Sequence, residues 1–482
     1  MSMVSAYPGG VPEGFPNHPN LRSNFAPLHA ELDHATLETT GRWPEEVRGS
    51  FYRIGPNPAF PPRGGFYHWF AGDGMVHAFH IDGGNVAYRN RYLQTEKRRA
   101  EEAANRALIN PFDPTNDDPS FADRTSNGVA NTAMTWHHGA LYALEEGHAP
   151  LAFDPLSLAT LEVNDFGGAH GGPFSAHPHI DPATGNLVFF GYMADGVGSD
   201  TISCGEIAPD GRLIYQRKFR APFAAMVHDM IVTREFIVVP VFPLTFSIER
   251  ALNKQSAFAW EPEKNSWLAV LPRGSRSEEV RWIEADPAFV FHYMNAWDVP
   301  GESGKRIQAD VLQFEAPPLF PFADGSLPAR ASAEASLHHW DLDLVSGQLR
   351  SEEIAPVRGE FPRIDESFAC GPYRHGWFAG AVGEHPPGFS NNAVAHSDRL
   401  RGDVKTFSLP STDLLGEPVF VPRANPSGEG DGYVLTLAWR GEEDISELLL
   451  LDALHVEDGP IATARLPHRV PHGFHALFRP WS

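Results

Sequence analysis

Six residues that can bind a metal or hold a proton recur along the chain at steps a repeating fold could turn inward. His177, His228, His292, Glu360, Glu417 and His475 are separated by 51, 64, 68, 57 and 58 residues. They fall in similar apolar segments: SAHPHID, AMVHDM, FVFHYMN, RGEFPRID, GEPVFVP and PHGFHALF. His228 is framed by Ala224, Ala225, Met226, Val227 and Met230, and His292 by Phe289, Val290, Phe291 and Met294. An imidazole in such surroundings costs free energy unless both ring nitrogens have partners. A metal ion can satisfy one nitrogen and a buried carboxylate the other. Glu360 and Glu417, on apolar strands with no lysine or arginine evidently placed to neutralise them, suit the carboxylate role. The plain alternative is a set of buried polar residues, each with its own local partner. Four imidazoles without a thiolate are unlike a structural zinc site of the cysteine type. Zinc, copper, nickel and iron all accept imidazole, so residue types alone leave the metal open.

The elements that would carry these residues read as short strands between turn signals. SFYRIG (50–55), NLVFFGYM (186–193), EFIVVPVF (235–242), RIQADVLQFE (306–315), HHWDLDLVSGQLRSEEI (338–354) and GYVLTLAW (432–439) are rich in β-branched and aromatic residues. DPATGN (181–186) and DLVSGQ (343–348) read as hairpin loops. One long helix is predicted, TEKRRAEEAANRAL (95–108), capped by Thr95. Being polar nearly all round, it is expected to be an exposed connection. Helices alternating with strands are missing, which argues against a parallel α/β sheet. One polar residue per unit of about 60 residues is the signature expected when the innermost strand of each propeller blade points at the axis. The reading is an all-β, seven-bladed β-propeller with loops and short helices over the axial site. Residues 1–24 are expected to form a flexible arm and 25–482 one domain.

The remaining histidines suggest little chemistry. His137, His138, His338 and His339 occur as pairs in polar stretches and read as surface or turn residues, and HAELDH (29–34) lacks the HExxH spacing of a zinc protease. The 482 residues carry 38 basic and 61 acidic side chains, a formal charge of −23, which argues against nucleic-acid binding. Two cysteines, Cys204 and Cys370, do not make a disulfide framework and suit a reducing, cytoplasmic setting. The start has no basic and apolar leader pattern. The longest apolar run, FIVVPVFPLTF (236–246), is too short to span a bilayer but could touch its surface. No P-loop or dinucleotide fingerprint is present, and GEGDG (428–432) leads into a strand, so no organic cofactor is expected.

The chain resembles the carotenoid cleavage oxygenase family over essentially its whole length. FYRIGPNPAF (51–60), YHWFAGDGMVHAFH (67–80), ANTAM (130–134), YALEEGHAP (142–150), SAHPHIDP (175–182), MVHDM (226–230), FHYMNAWD (291–298), EFPRID (360–365), EPVFVPR (417–423), GDGYVL (430–435) and GFHALF (473–478) follow the family's order and spacing. The resemblance implies a seven-bladed propeller with one Fe(II) held by His177, His228, His292 and His475. It implies that Glu146, Glu360 and Glu417 support those imidazoles, and that Thr132 obstructs one open position on the iron. The implied reaction uses O₂ to cleave a conjugated C=C bond of an apolar substrate into two carbonyl products. FPLTFSIERAL (242–252) resembles the family's lid, which with the preceding run makes 236–252 the candidate membrane-contacting segment.

Stilbene-cleaving relatives share RYLQTEK (91–97) and NPFDPTNDDPS (110–120) with this chain. They carry a lysine and a tyrosine that bind the substrate phenol; Glu145 and Leu108 stand at the matching positions here. With Phe291, these are the substrate-region candidates. An acidic residue disfavours a phenolate, and VPHGFHALF looks closer to the apocarotenoid cleavers, so a conventional 4-hydroxystilbene is not the expected substrate. Two other readings use the same fold: a non-oxidative isomerase or hydrolase on the same iron, and a non-enzymatic binding propeller.

Overall fold

The computed structural model describes residues 13–65, 67–112, 116–121, 127–275, 279–300, 305–383 and 390–481. It is built of antiparallel sheets, as the density of β-branched and aromatic segments requires. Leu187–Tyr192, Phe236–Val241, Lys305–Phe314 and Gly432–Arg440 form strands where the sequence places them. The turns at 181–186 and 343–348 close the hairpins His179–Ile180 with Leu187–Tyr192 and Ser336–Asp343 with Gln348–Ile364.

Four-stranded sheets are formed by Ala133–His137 to Thr160–Val163, by His179–Ile180 to Leu213–Arg220, and by Ile231–Val232 to Arg281–Ala285. A seven-stranded sheet runs from Phe289–Pro300 to Asp403–Ser408. It changes direction within one strand, Gln348–Ile364. Residues up to Arg358 pair with Ser336–Asp343, and those from Arg358 onward pair with His375–Ala381. The register shifts after Glu360, where Phe361 takes a positive φ of 58°.

Leu244–Phe246 and Phe258–Trp260 make a two-stranded sheet, and two larger sheets join early chain to late chain. Ala476–Pro480 pairs with Arg48–Pro56, and Glu38–Gly41 pairs with Pro460–Arg465. Alternate side chains of one strand enter different cores, as the two-residue period of a strand requires. In Ile445–Asp452, Leu448 and Leu450 pack with Phe51 and Phe79, whereas Leu449 and Leu451 pack with Trp377 and Val394. Sheets are thus stacked face to face, both faces apolar.

Several expectations need correction. The helix forms at Glu96–Ala104, with the Thr95 side chain accepting the Arg98 N–H, but it is no exposed connector. Lys97, Arg98 and Glu101 are buried. The Lys97 ammonium lies 2.8 Å from Asp73 and 2.7 Å from Glu101, so a polar face is buried by pairing its charges. The apolar run 236–246 is mostly core, since Phe236–Val241 is buried throughout; only Ile248 and Leu252, at 53% and 71% exposure, offer apolar surface beyond it. His137 is buried as well, and His339 pairs with Asp310, which burial leaves fully enclosed.

Of the arm, residues 1–12 lie outside the described residues, whereas Leu21 packs against Tyr67 and Ala71. Cys204 and Cys370 are buried free thiols. Among the described residues no helix is long and apolar enough to cross a membrane.

Candidate metal centre

Four of the sequence-predicted residues converge. His177, His228, His292 and His475 each offer one ring nitrogen, and these nitrogens all lie within 4.8 Å of one another. Nε2 of His228 is 3.1 Å from Nε2 of His177 and 3.2 Å from Nε2 of His292. The rings stand steeply to each other, 76° for His177 with His475 and 75° for His292 with His475. Only His292 lies within a strand, Phe289–Pro300. His177, His228 and His475 stand just before His179–Ile180, Ile231–Val232 and Ala476–Pro480, which corrects their expected placement on strands. Such positions let the backbone leave the ladder and turn a ring inward.

Glutamates hold the far nitrogen of three of these rings. His228 Nδ1 hydrogen-bonds Glu146, His292 Nδ1 lies 2.5 Å from Glu360, and His475 Nδ1 lies 3.0 Å from Glu417. A carboxylate accepts, so Nδ1 carries the proton and Nε2 keeps its lone pair. With both rings neutral, two such lone pairs at 3.2 Å repel and cannot share a hydrogen bond. The donor set therefore fits a cation placed among the four nitrogens. Burial, together with the neighbouring imidazoles, holds His177 and His292 well below the ordinary histidine pKa, so both are neutral and able to ligate.

Each glutamate has further partners. Glu146 accepts the Tyr192 hydroxyl at 2.6 Å, and Glu360 accepts the backbone N–H of Phe361. Glu417 accepts the N–H of Ala476 and faces Arg363 at 3.5 Å. That ion pair corrects the expectation that no cation neutralises Glu417. Burial alone would raise Glu417, but His475 and Arg363 outweigh it and bring its pKa down to about 2. Burial pushes Glu360, without an arginine partner, up to about 8, so a cation at the centre is the charge that would keep it an ionised acceptor for His292. Tyr192, Arg363 and Asp229 were not singled out from sequence. Asp229 accepts from His179 at 3.0 Å and from the N–H groups of Met230 and Tyr293, bracing the segments that carry His228 and His292. Its position beside His228 in MVHDM was the only available signal.

The other candidates lie nearby in different roles. Thr132 accepts the His475 N–H on its carbonyl at 3.4 Å, and its hydroxyl donates to Asn131 at 3.0 Å. Phe291 is buried and stands edge-on to His228, 5.1 Å between centroids. Leu108 is buried, and its N–H donates to Glu101. Glu145 Oε2 accepts the N–H groups of Val129 and Ala130, and Oε1 pairs with His148. Ala130 has a positive φ of 47°, so Glu145 anchors a strained approach to Asn131 and Thr132.

The family described as RPE65, retinal pigment epithelial membrane protein, matches residues 25–480. The chain belongs to this carotenoid cleavage oxygenase family. It is 36% identical to lignostilbene-alpha,beta-dioxygenase isozyme III of Sphingomonas paucimobilis, covering 96% of this chain and 97% of that protein. Identity to isoeugenol monooxygenase of Pseudomonas nitroreducens is 34%, over 96% and 98%. The crystal structure of Pseudomonas brassicacearum lignostilbene dioxygenase superposes with a TM-score of 0.91 at 34% identity, over 97% and 99%. Cobalt-substituted Synechocystis ACO gives 0.83 at 27%, over 94% and 97%. The C-terminal likeness to apocarotenoid cleavers thus does not extend to the whole chain, whose identity is higher to the lignostilbene enzymes. The protein is an enzyme of the family's dioxygenase type.

Proposed function

We propose that the protein binds one Fe(II) through His177, His228, His292 and His475 and uses O₂ to cleave the conjugated C=C bond of an aryl-substituted alkene. Stilbenes and phenylpropenes are the favoured substrate classes, ahead of apocarotenoids. The observation that carries this reading is the convergence of four imidazole nitrogens whose far sides are held by Glu146, Glu360 and Glu417. Bound Fe(II) would supply a coordination site for O₂ and the electrons to activate it. The glutamates keep each Nδ1 protonated, which aims the Nε2 lone pair inward and adds negative charge beyond a neutral ligand set. Thr132, whose carbonyl accepts the His475 backbone N–H, would restrict access on one side of the centre. His292 and His475 are buried while His177 is partly exposed, and the apolar Phe291 ring beside His228 favours an apolar substrate over a polar one.

The occupation of both Glu145 oxygens supports a substrate bound without a lysine–tyrosine phenol clamp. Seven segments contribute one residue each: Thr132, His177, His228, His292, Glu360, Glu417 and His475. That count supports seven blades, with the seven-stranded sheet supplying two of them. The exposed Ile248 and Leu252 favour a surface that collects lipophilic substrate from a membrane face while the protein remains cytoplasmic.

Reconstitution with Fe(II), followed by a panel of stilbenes, propenylphenols and apocarotenals read by mass spectrometry, tests the proposal. Paired aldehydes and O₂ consumption are expected from an aryl alkene. Turnover without O₂ uptake would instead indicate isomerisation or hydrolysis, and absence of metal uptake would leave only a binding role.

A further inference from the structure

Arg53 lies in the FYRIGPNPAF segment, on strand Arg48–Pro56, directly across from Ala476 in the sheet register. It is 3% exposed, and no carboxylate reaches it within ion-pair distance among the described residues. A guanidinium buried without a counter-ion is costly, so its placement calls for a reason. Nη1 donates to the carbonyl of Phe474, the residue before His475, and more weakly to Ile54 O at 3.4 Å. The same stretch is pinned from both sides. Phe474 N–H donates to Ile54 O at 3.0 Å, Ile54 N–H to His475 O at 3.0 Å, and His472 N–H to Asn24 O at 2.7 Å.

The approach is close enough to demand glycine. A Cβ on Gly473 would stand 2.8 Å from Ile54 O and 3.2 Å from Arg53 Nη1. At Gly416, next to Glu417, the approach is looser, and a Cβ would make an ordinary contact with Arg53 Nε at 3.5 Å. The guanidinium therefore sits between the residue preceding Glu417 and the turn leading to His475. Burial lowers the Arg53 pKa to about 10, and Glu417 is the charge that opposes this. Among the described residues, Arg53 Nε and Asn24 Oδ1 have no protein partner, and both residues line a small cavity of about 10 Å³ bounded also by Gly416 and His472. A water there can accept from Nε–H and donate to Asn24.

The structure assigns Arg53 as a positioning residue: it clamps the Gly473–Phe474 backbone and borders the Glu417 segment, fixing the direction of the His475 ring. The assignment rests on the reading of His475 as a metal ligand. Arg53 touches neither metal nor substrate, so its removal should loosen one ligand and leave the other three in place. A lysine keeps charge but not the planar fork that reaches Phe474 O, so it should restore only part of the effect.

Cobalt(II) titration of the full-length protein tests this, with the visible absorption band reporting ligand geometry and thermal unfolding reporting the fold. Arg53→Met should weaken Co(II) binding at least tenfold and alter the band, with Arg53→Lys intermediate. In a His475→Ala background, Arg53→Met should cause no further loss. A wild-type band and affinity in Arg53→Met, while His475→Ala loses metal, would overturn this assignment alone. An equal further loss in the His475→Ala background would do the same. Unchanged Co(II) binding in His475→Ala would overturn the ligand reading and this assignment with it. Should Arg53→Met fail to fold, Arg53→Lys carries the test: an altered band supports the clamp, and a wild-type band overturns it.

Discussion

Two of the buried charge clusters among the described residues are closed in different ways. At the helix Glu96–Ala104, Lys97 sits between Asp73 and Glu101, and Glu101 Oε1 also accepts the N–H groups of Leu108 and Ile109. That cluster contains its own cation. Asp73 and Glu101 outweigh the burial that would otherwise lower Lys97, and its pKa is raised. At the four histidines, three glutamates are drawn inward, and the lone pairs they direct to the centre call for a cation from outside. A cluster that holds its own cation needs none from outside. One that is left open at its middle is shaped for a ligand.

Breaking the open cluster should give the largest functional effect. His292→Ala is expected to reduce iron retention and activity to background while the chain stays folded, as metal analysis and circular dichroism would record. Breaking the closed cluster should do the reverse. Lys97→Met leaves two carboxylates buried without a cation, at a cost of about 3–5 kcal/mol in stability. Denaturant unfolding would measure this, and iron bound per folded chain should hold. Glu360→Gln keeps the volume but weakens the hold on His292, and metal affinity should fall about 10–100-fold, read by chelator competition. Smallest is Tyr192→Phe, which removes one hydrogen bond to Glu146; about 1 kcal/mol is expected, seen as a slight drop in melting temperature with iron retained. If Lys97→Met lost iron in proportion to activity while still folded, the separation between the two clusters would fail.

The positions of strands could be read from the sequence because β-branched and aromatic runs with turn residues at their ends are local signals. The four histidines were readable for a related reason: an imidazole set in an apolar segment calls for a partner. Pairings between distant residues were not. Lys97 and Asp73 are 24 positions apart, and Arg363 and Glu417 are 54 apart. Nothing in a polar helix face says that a partner charge waits beneath it, so the helix was identified but its burial was not. The same limit hid Tyr192, a polar end on an otherwise apolar strand. For Glu145, composition supplied the carboxylate, and only the backbone conformation of Ala130 explains its use.

The joining of late strand to early strand has a consequence for synthesis. His292 precedes His475 by 183 residues, and elongation at about 5–20 residues per second takes roughly 10–40 s to cover that distance. During that interval a nascent chain carries three of the four histidines and lacks the strand that seats the last one. A metal ion captured then would meet an incomplete set of ligands, with every competing ion of the cell at hand. Selective loading therefore belongs after translation of Ala476–Pro480, when that strand docks on Arg48–Pro56 and brings the fourth imidazole in.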